Sequence, residues 1–131
     1  MDKLYIPGDL VSVYVGIKKY IVEVIGTENE NEVLSYQIKF PNGEIQYADK
    51  DNIVPIPLTP EILEKNGWKK DGKWYKLVTK RAYLYITQDE GQPDEFLICA
   101  GECKHNLTSV RFVHQLQHFL FGLNINSDLE V

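Results

Sequence analysis

Cysteine is scarce in this sequence, and long apolar runs are missing from it. Cys99 and Cys103 are its 2 cysteines, too few to hold a chain of this size together with disulfides, so they indicate a reducing compartment. No apolar run approaches the ~18–20 residues that a membrane-spanning helix needs, so we expect no membrane partner. Residues 1–5 lack the apolar stretch of a secretory signal, and we expect a cytoplasmic protein.

Phosphate-binding loops and recognisable catalytic templates are also missing. The 9 glycines are scattered through predicted turns, and neither a G-x-G-x-x-G nor a Walker pattern occurs. With 131 residues, of which 44% are hydrophobic and 25% charged, the chain has the composition of an ordinary globular protein of one or two small domains. We therefore expect a non-enzymatic protein without a cofactor.

Short apolar-alternating runs in the first half of the chain are typical of β-strands. They cover residues 11–15, 18–25, 34–40, 45–47 and 53–58. Residues 27–32 are polar and acidic and predict an exposed turn, whereas Pro41-Asn42-Gly43 predicts a hairpin. Five short strands cannot bury both faces of an open sheet, so we predict that residues 1–58 close into a small barrel.

Three segments of this half resemble SH3-like barrels of the Tudor and KOW kind. They are Gly8-Asp9-Leu10-Val11, Tyr36-x-Ile38-x-Phe40-x-x-Gly43 and Asp51-Asn52-Ile53. The resemblance covers residues 7–57 and implies a fold rather than a function, since such barrels serve as nucleic-acid, peptide and structural modules. Tudor domains that read methylated side chains use an aromatic cage. The rings that could supply one are Tyr14, Tyr20, Tyr36, Phe40 and Tyr47, although most lie on the predicted core faces, and we favour core packing.

The second half, residues 59–131, predicts a short helix, a four-stranded antiparallel meander and a C-terminal amphipathic helix. Thr59 suits the N-cap of the first helix and Gly67 the position after its end. Residues 68–75 predict a hairpin with a type I′ turn at Asp71-Gly72. Residues 82–87 and 95–100 supply the other two strands, and residues 101–106 are predicted to form a loop. The fold class is therefore α+β.

The last predicted helix begins at about Phe112, where apolar residues follow a helical spacing. We expect Gly122 and Asn124 to loosen the end of this helix and the last residues of the chain to fray. The Pro-rich join between the halves and this helix carry two motifs that resemble a family of small uncharacterised proteins of gut bacteria and their phage-like or mobile elements. The motifs are Pro55-Ile56-Pro57-Leu58-Thr59-Pro60-Glu61-x-Leu63-x-x-x-Gly67-Trp68 and Val113-His114-Gln115-Leu116-Gln117. The resemblance spans nearly the whole chain and implies no activity; the family usually has Asn where this chain has His118.

One strongly basic stretch stands out against a net charge of −5. Lysines neutralise phosphates, and exposed aromatic rings stack on unpaired bases. The candidate nucleic-acid-binding residues are Trp68, Lys69, Lys70, Lys73, Trp74, Lys76, Lys80 and Arg81. Alternatively, the two tryptophans are core anchors and the lysines protect sheet edges, which is the interpretation we prefer. The sequence thus predicts an interaction module with an unknown protein partner, and nucleic-acid binding is the alternative.

Histidine and cysteine raise a metal or thiol site as a third hypothesis. His114 and His118 stand four residues apart, as two zinc ligands on one helix face do, and Cys99 and Cys103 could complete the site. The spacing C-x-x-x-C-x-H, which ends at His105, is not a recognised zinc motif. A nucleophilic pair of Cys103 with His105 or His114 would also need an orienting group and an oxyanion hole. We expect neither a metal nor a catalytic site here.

Overall fold

The computed structural model describes residues 5–30, 33–80 and 83–131. The chain divides into a first unit of residues 1–56 and a second of residues 57–131. Each unit holds one antiparallel sheet of five strands, and the second also holds two helices. The chain is therefore mostly β and of the α+β type. In the described residues, no helix is both long and apolar enough to cross a membrane.

The first unit is a five-stranded sheet in the order β4-β3-β2-β1-β5. Its strands are β1 (Leu10–Val15), β2 (Lys18–Glu30), β3 (Val33–Lys39), β4 (Ile45–Asp49) and β5 (Ile53–Pro55). A single turn of 3₁₀ helix, Lys50–Asn52, joins β4 to β5. Across the described part of the chain, β4 pairs only with β3 and β5 only with β1. The sheet is thus open in its hydrogen bonding, where the sequence predicts a closed barrel.

The core of the first unit comes from the alternation that the sequence predicts. Its buried residues are Tyr5, Val11, Val13, Val22, Val24, Tyr36, Ile38 and Ile53. Tyr36 is fully buried, and its hydroxyl accepts a hydrogen bond from the backbone N–H of Tyr5 at 3.2 Å. The two rings also meet edge to face, with centroids 5.5 Å apart. Tyr5 thus joins the segment before β1 to the centre of the sheet.

β2 is longer than its apolar pattern predicts. Residues 27–30, expected in a turn, continue the strand because they pair with residues 33–36 of β3, which satisfies their backbone hydrogen bonds. A register shift between Val24 and Gly26 marks a β-bulge at Ile25. A bulge increases local twist and bends the strand, so the two ends of β2 can pair in different directions.

The second unit has the order β10-β9-β8-β7-β6. Its elements are α1 (Pro60–Lys65), β6 (Lys69–Asp71), β7 (Trp74–Val78), β8 (Tyr83–Gln88), β9 (Phe96–Ala100), β10 (His105–Val110) and α2 (Val113–Gly122). The meander has five strands, and the prediction of four was wrong because residues 105 and 106 were placed in a loop and residues 107–110 were assigned to no strand. All but one of the residues of β10 are exposed, so this segment lacks the alternation of buried and exposed residues that identifies a strand. Pairing with β9 supplies its backbone hydrogen bonds instead.

Both helices begin as the sequence predicts. The Thr59 hydroxyl accepts from the N–H of Ile62, and the Gln115 side chain accepts from the N–H of Phe112, so each helix start is capped. Gly67, at φ +88°, ends α1, and the N–H of Trp68 donates to the carbonyl of Leu63 in a Schellman motif. These contacts fix where the first strand of the meander starts.

Two smaller predictions need correction. Asp71 pairs directly with Trp74, so the turn residues are Gly72 and Lys73, and of these only Gly72 has a positive φ. That is the pattern of a type II′ turn rather than type I′. The C-terminal residues are also held rather than frayed: the Asn66 side chain accepts from the N–H of Glu130 and donates to its carbonyl, both at 2.8 Å.

Candidate nucleic-acid interface

The two faces of the second sheet differ in chemistry. Leu84 and Ile86 of β8 are fully buried on the inner face, and the register places Leu77 and Tyr75 of β7 beside them. Because side chains alternate along a strand, the residues between them lie on the outer face. We call the set on that face the lysine–aromatic face; it comprises Lys69, Lys73, Trp74, Lys76, Tyr83, Tyr85 and Lys104.

Three lysine ammonium groups of this set lie over aromatic rings. The Lys76 Nζ is 4.6 Å from the centroid of Tyr83 and 5.7 Å from that of Tyr85. The Lys104 Nζ is 4.6 Å from the Tyr85 centroid and 5.7 Å from that of Trp74. The Lys73 Nζ is 5.6 Å from the Trp74 centroid. These are cation–π distances, so the rings hold the ammonium groups against the sheet.

The rings differ in how much of their surface remains open. Trp74 and Tyr85 meet edge to face with centroids 6.1 Å apart, and Tyr85 is only 5% exposed. Tyr83 is 40% exposed and Trp74 is partly exposed. Trp74 and Tyr83 are therefore the rings that a ligand can reach, and Tyr85 is a buried support between them.

Two turns place the outer lysines. The carbonyl of Lys73 accepts a hydrogen bond from the Thr87 hydroxyl at 2.8 Å, which ties the β6–β7 turn to β8. The N–H of Gly101 donates to the carbonyl of Tyr83, and Lys104 closes the β9–β10 turn with a φ of 52°. A non-glycine residue rarely adopts a positive φ. The residue that does so here is Lys104, and its side chain extends back over the Trp74 and Tyr85 rings of the sheet.

The lysine–aromatic face carries little compensating negative charge. Lys69 lies directly across from Lys76, and like charges in that position repel each other. Within residues 5–30, 33–80 and 83–131, none of Lys69, Lys73, Lys76 and Lys104 has a carboxylate within salt-bridge distance. Asp71, opposite Trp74, is the acidic residue that the register places on this face. An anion bound here would relieve the repulsion.

The structure brings together only part of the predicted set. Lys69, Lys73, Trp74 and Lys76 share the face. Trp68 is 2% exposed and cannot stack on a base, as expected of a core anchor. Lys70 pairs with Tyr75 and so belongs to the other side of β6, and Lys80 is exposed beyond the end of β7. Arg81 lies outside the described residues.

The sequence pattern did not identify Tyr83, Tyr85 and Lys104 as residues of the site. The two tyrosines were detectable, because they alternate with Leu84 and Ile86 in a predicted strand and so must face away from the core. No sequence signal indicates Lys104, since its position depends on the β9–β10 turn. Arg111, by contrast, is neutralised: its guanidinium lies 3.3 Å from Asp94 and 3.6 Å from Glu95.

The metal and thiol candidates do not converge. The rings of His114 and His118 stand edge to face with centroids 5.6 Å apart, and His114 is buried against Phe112. In the part of the chain that the structure describes, no three or more His, Cys, Asp or Glu side chains cluster closely enough to hold a metal ion.

Both cysteines are free thiols. Burial raises the pKa of Cys99, which lowers its thiolate fraction, while Cys103 is exposed.

The aromatic cage does not form from its five candidates. Tyr36 is buried, and Tyr14 and Tyr47 point to the outer face of the first sheet. Tyr20 and Phe40 are in direct edge-to-face contact, with centroids 5.8 Å apart and planes at 73°. Rings in contact leave no space between them for a methylated ammonium group, so this pair belongs to packing.

Comparisons with family models, curated proteins and solved structures give no match for this chain. The function of this chain must therefore be inferred from the geometry of the lysine–aromatic face.

Proposed function

We propose that this chain is a non-enzymatic binding protein that holds single-stranded nucleic acid on the lysine–aromatic face of its second unit. The observation that carries the proposal is the set of three lysine ammonium groups within 4.6–5.7 Å of aromatic ring centroids on one sheet face. None of those lysines has a carboxylate partner among the described residues. A protein partner without phosphates stays the alternative.

Unpaired bases fit this face better than a duplex does. A lysine contributes to phosphate binding by releasing counterions, and stacking on an aromatic ring adds ~1–3 kcal/mol per base. Lysines for phosphates and rings for stacking lie side by side on this face, and Trp74 and Tyr83 are the rings that a base can reach. The bases of a duplex are already stacked on each other and could use only the lysines. The net charge of −5 opposes non-specific attraction, so binding depends on this local patch.

We propose three further properties of this chain. We infer that the first unit is a partly open SH3-like barrel, in which β4 and β5 are not hydrogen-bonded to each other. The strand order β4-β3-β2-β1-β5, the 3₁₀ turn between β4 and β5, and the bulge in β2 support this inference. A cytoplasmic location is supported by the two free cysteines. We also propose that the protein belongs to a phage or mobile element, and the resemblance of the Pro55–Trp68 and Val113–Gln117 motifs is the support for this.

The test is fluorescence anisotropy with labelled oligodeoxythymidylate and oligouridylate at low salt. Lys73→Glu with Lys76→Glu should abolish measurable binding, because two phosphate contacts become repulsive. The control is Lys18→Glu with Lys19→Glu, two exposed lysines of the first unit, which changes net charge equally. Equal losses in both variants, or unchanged binding in the first, would contradict the proposal. A hairpin duplex of the same charge should bind more weakly than the single strands.

A further inference from the structure

A small cavity lies beside the β6–β7 turn of the second sheet. Lys70 and Tyr75, which pair across β6 and β7, line it together with Lys73 of the turn and Glu90 of the β8–β9 loop. Lys70 and Tyr75 belong to the side of the sheet opposite the lysine–aromatic face. The volume of the cavity is about 260 Å³, below the ~300–1,000 Å³ of pockets that take drug-sized ligands. The cavity therefore suits one small chemical group.

Tyr75 brings an unpartnered hydroxyl to this cavity. The residue is 9% exposed, so its ring packs within the second unit. Within residues 5–30, 33–80 and 83–131, its hydroxyl makes no hydrogen bond and is not one of the enclosed polar atoms. Such a hydroxyl reaches solvent, and the cavity is the solvent space that Tyr75 lines. Because a buried tyrosine normally finds a partner for its O–H, this donor is available to a ligand.

The charge of the cavity lining is positive. Among the residues that the structure describes, neither Lys70 nor Lys73 has a carboxylate within salt-bridge distance. Glu90 is the acidic residue of the lining, and its side chain is exposed. The Thr87 hydroxyl donates to the carbonyl of Lys73 at 2.8 Å, which fixes the turn at the cavity. Two ammonium groups and a phenol donor around one small space favour the binding of an anion.

We propose that this cavity binds a phosphate monoester. Lys70 and Lys73 neutralise the charge of the phosphate, and the Tyr75 hydroxyl donates to one of its oxygens. A phosphate monoester carries about −1.5 to −2 charges at pH 7, which two lysines match. A carboxylate or a phosphodiester carries a single negative charge and would leave one ammonium group without a counterpart.

Such a group has two sources, a free small phosphate compound and the terminal phosphate of a nucleic-acid strand. Lys73 borders both this cavity and the lysine–aromatic face, since its ammonium group lies 5.6 Å from the Trp74 centroid. A strand that ends beside Trp74 can therefore place its last phosphate in the cavity. Inorganic phosphate contains the recognised group, so the inference is tested without an oligonucleotide and does not require the proposed function.

The first test is an NMR titration of the ¹⁵N-labelled full chain with inorganic phosphate, compared with sodium chloride at the same ionic strength. We expect saturable shifts of the backbone amides of Lys70, Lys73 and Tyr75 with phosphate and none with chloride. Shifts that do not saturate, or that occur equally with chloride, would overturn the inference.

Variants of the lining make this test specific. Tyr75→Phe and Lys70→Gln should each weaken phosphate binding by about tenfold, because each removes a hydrogen bond to a charged group. The matched controls, Tyr47→Phe in the first unit and Lys65→Gln in α1, should leave it unchanged. Glu90→Gln should strengthen binding by about two- to threefold, since it removes a negative charge from the lining.

The contrary results are equally definite. Unchanged phosphate binding in both Tyr75→Phe and Lys70→Gln would overturn the inference, and so would weaker binding in Glu90→Gln. Tyr75→Phe keeps the packed ring, and the Lys70 and Glu90 side chains are exposed, so each variant should fold. Circular dichroism checks that it does.

A second titration identifies the source of the phosphate group. Fluorescence anisotropy compares oligodeoxythymidylate with a 5′-phosphate, with a 3′-phosphate and with neither. Tighter binding of one phosphorylated strand, lost in Lys70→Gln while the unphosphorylated strand binds as before, assigns the cavity to a strand end. Equal binding of the three strands, with inorganic phosphate still bound, assigns it to a free compound. Failure of all three strands to bind would contradict the proposed function and leave the phosphate site standing.

Discussion

The ammonium group of Lys104 lies 4.6 Å from the centroid of the Tyr85 ring. The two residues come from different segments, a turn with positive φ and the central strand of the sheet. Their contact places a positive charge over the middle of the second sheet, where Trp74 and Lys76 also lie. Lys104 therefore links the β9–β10 turn to the proposed nucleic-acid interface.

Lys104→Gln should weaken oligonucleotide binding roughly fivefold at low salt. It should also make the plot of log K against log salt less steep by about 0.7, since one phosphate contact with a single strand is lost. Anisotropy titrations at several salt concentrations measure both quantities. The control is Lys65→Gln, which removes an exposed lysine at the end of α1. An unchanged slope for Lys104→Gln would place that residue outside the interface.

Asp71→Asn should strengthen binding by about two- to threefold, because the Asp71 carboxylate lies on the lysine–aromatic face and repels phosphates. The side chain is exposed, so the hairpin should keep its fold. The gain should shrink as salt screens the charge. The same anisotropy assay measures it; weaker binding would show that Asp71 contributes to the site instead of opposing it.

Gly67→Ala should destabilise the protein by roughly 1–2 kcal/mol, because Gly67 adopts φ +88° at the end of α1 and a residue with a Cβ is strained there. Gly122→Ala is the matched control. Gly122 ends α2 without a positive φ, and an added Cβ meets no atom within 4 Å. That change should be neutral or stabilising by up to about 1 kcal/mol. Urea unfolding distinguishes the two.

Stability should fall at alkaline pH partly because of Tyr5. Burial, with Tyr36 and Asp9 nearby, raises the pKa of the Tyr5 phenol in the folded state. The unfolded phenol loses its proton first, so this contribution is complete below an ordinary tyrosine pKa of about 10 and is lost as pH rises above it. The free energy of unfolding should fall less steeply with pH above about 10 in Tyr5→Phe than in the unmodified protein. Identical pH profiles for the two proteins would contradict this assignment.

The two thiols should react at very different rates with a disulfide reagent at neutral pH. Cys103 is exposed, whereas Cys99 is buried and its pKa is raised by that burial, with Lys104 opposing the shift in part. We expect one fast equivalent and one that reacts only after denaturation. Cys103→Ser should remove the fast phase. Two fast equivalents in the native protein would contradict the buried position of Cys99.

The core of the first unit was predictable because its strands have one buried face. Val11 and Val13, or Tyr36 and Ile38, are buried and alternate with polar residues in a pattern that is typical of a strand. β10 and the end of β2 were missed for the opposite reason: their residues are mostly exposed, and pairing with a neighbouring strand holds them in place. The pattern along a strand does not contain that information.

The candidate site was predictable in composition but not in arrangement. Sequence indicated a basic aromatic hairpin, yet it could not separate Trp68, which is buried, from Trp74, which is partly exposed. That distinction depends on where α1 ends and on the register of β6 against β7. Lys104 joins the site through the turn between β9, which the sequence predicts, and β10, which it does not.

The most direct test of the central claim is an NMR titration of the ¹⁵N-labelled protein with oligodeoxythymidylate. We predict shifts of the Trp74 indole N–H and of the backbone amides of Lys76, Tyr83 and Lys104, while the indole N–H of the buried Trp68 stays in place. Saturating shifts confined to these positions would locate the strand on the lysine–aromatic face. Shifts elsewhere, or none at low salt, would contradict the account.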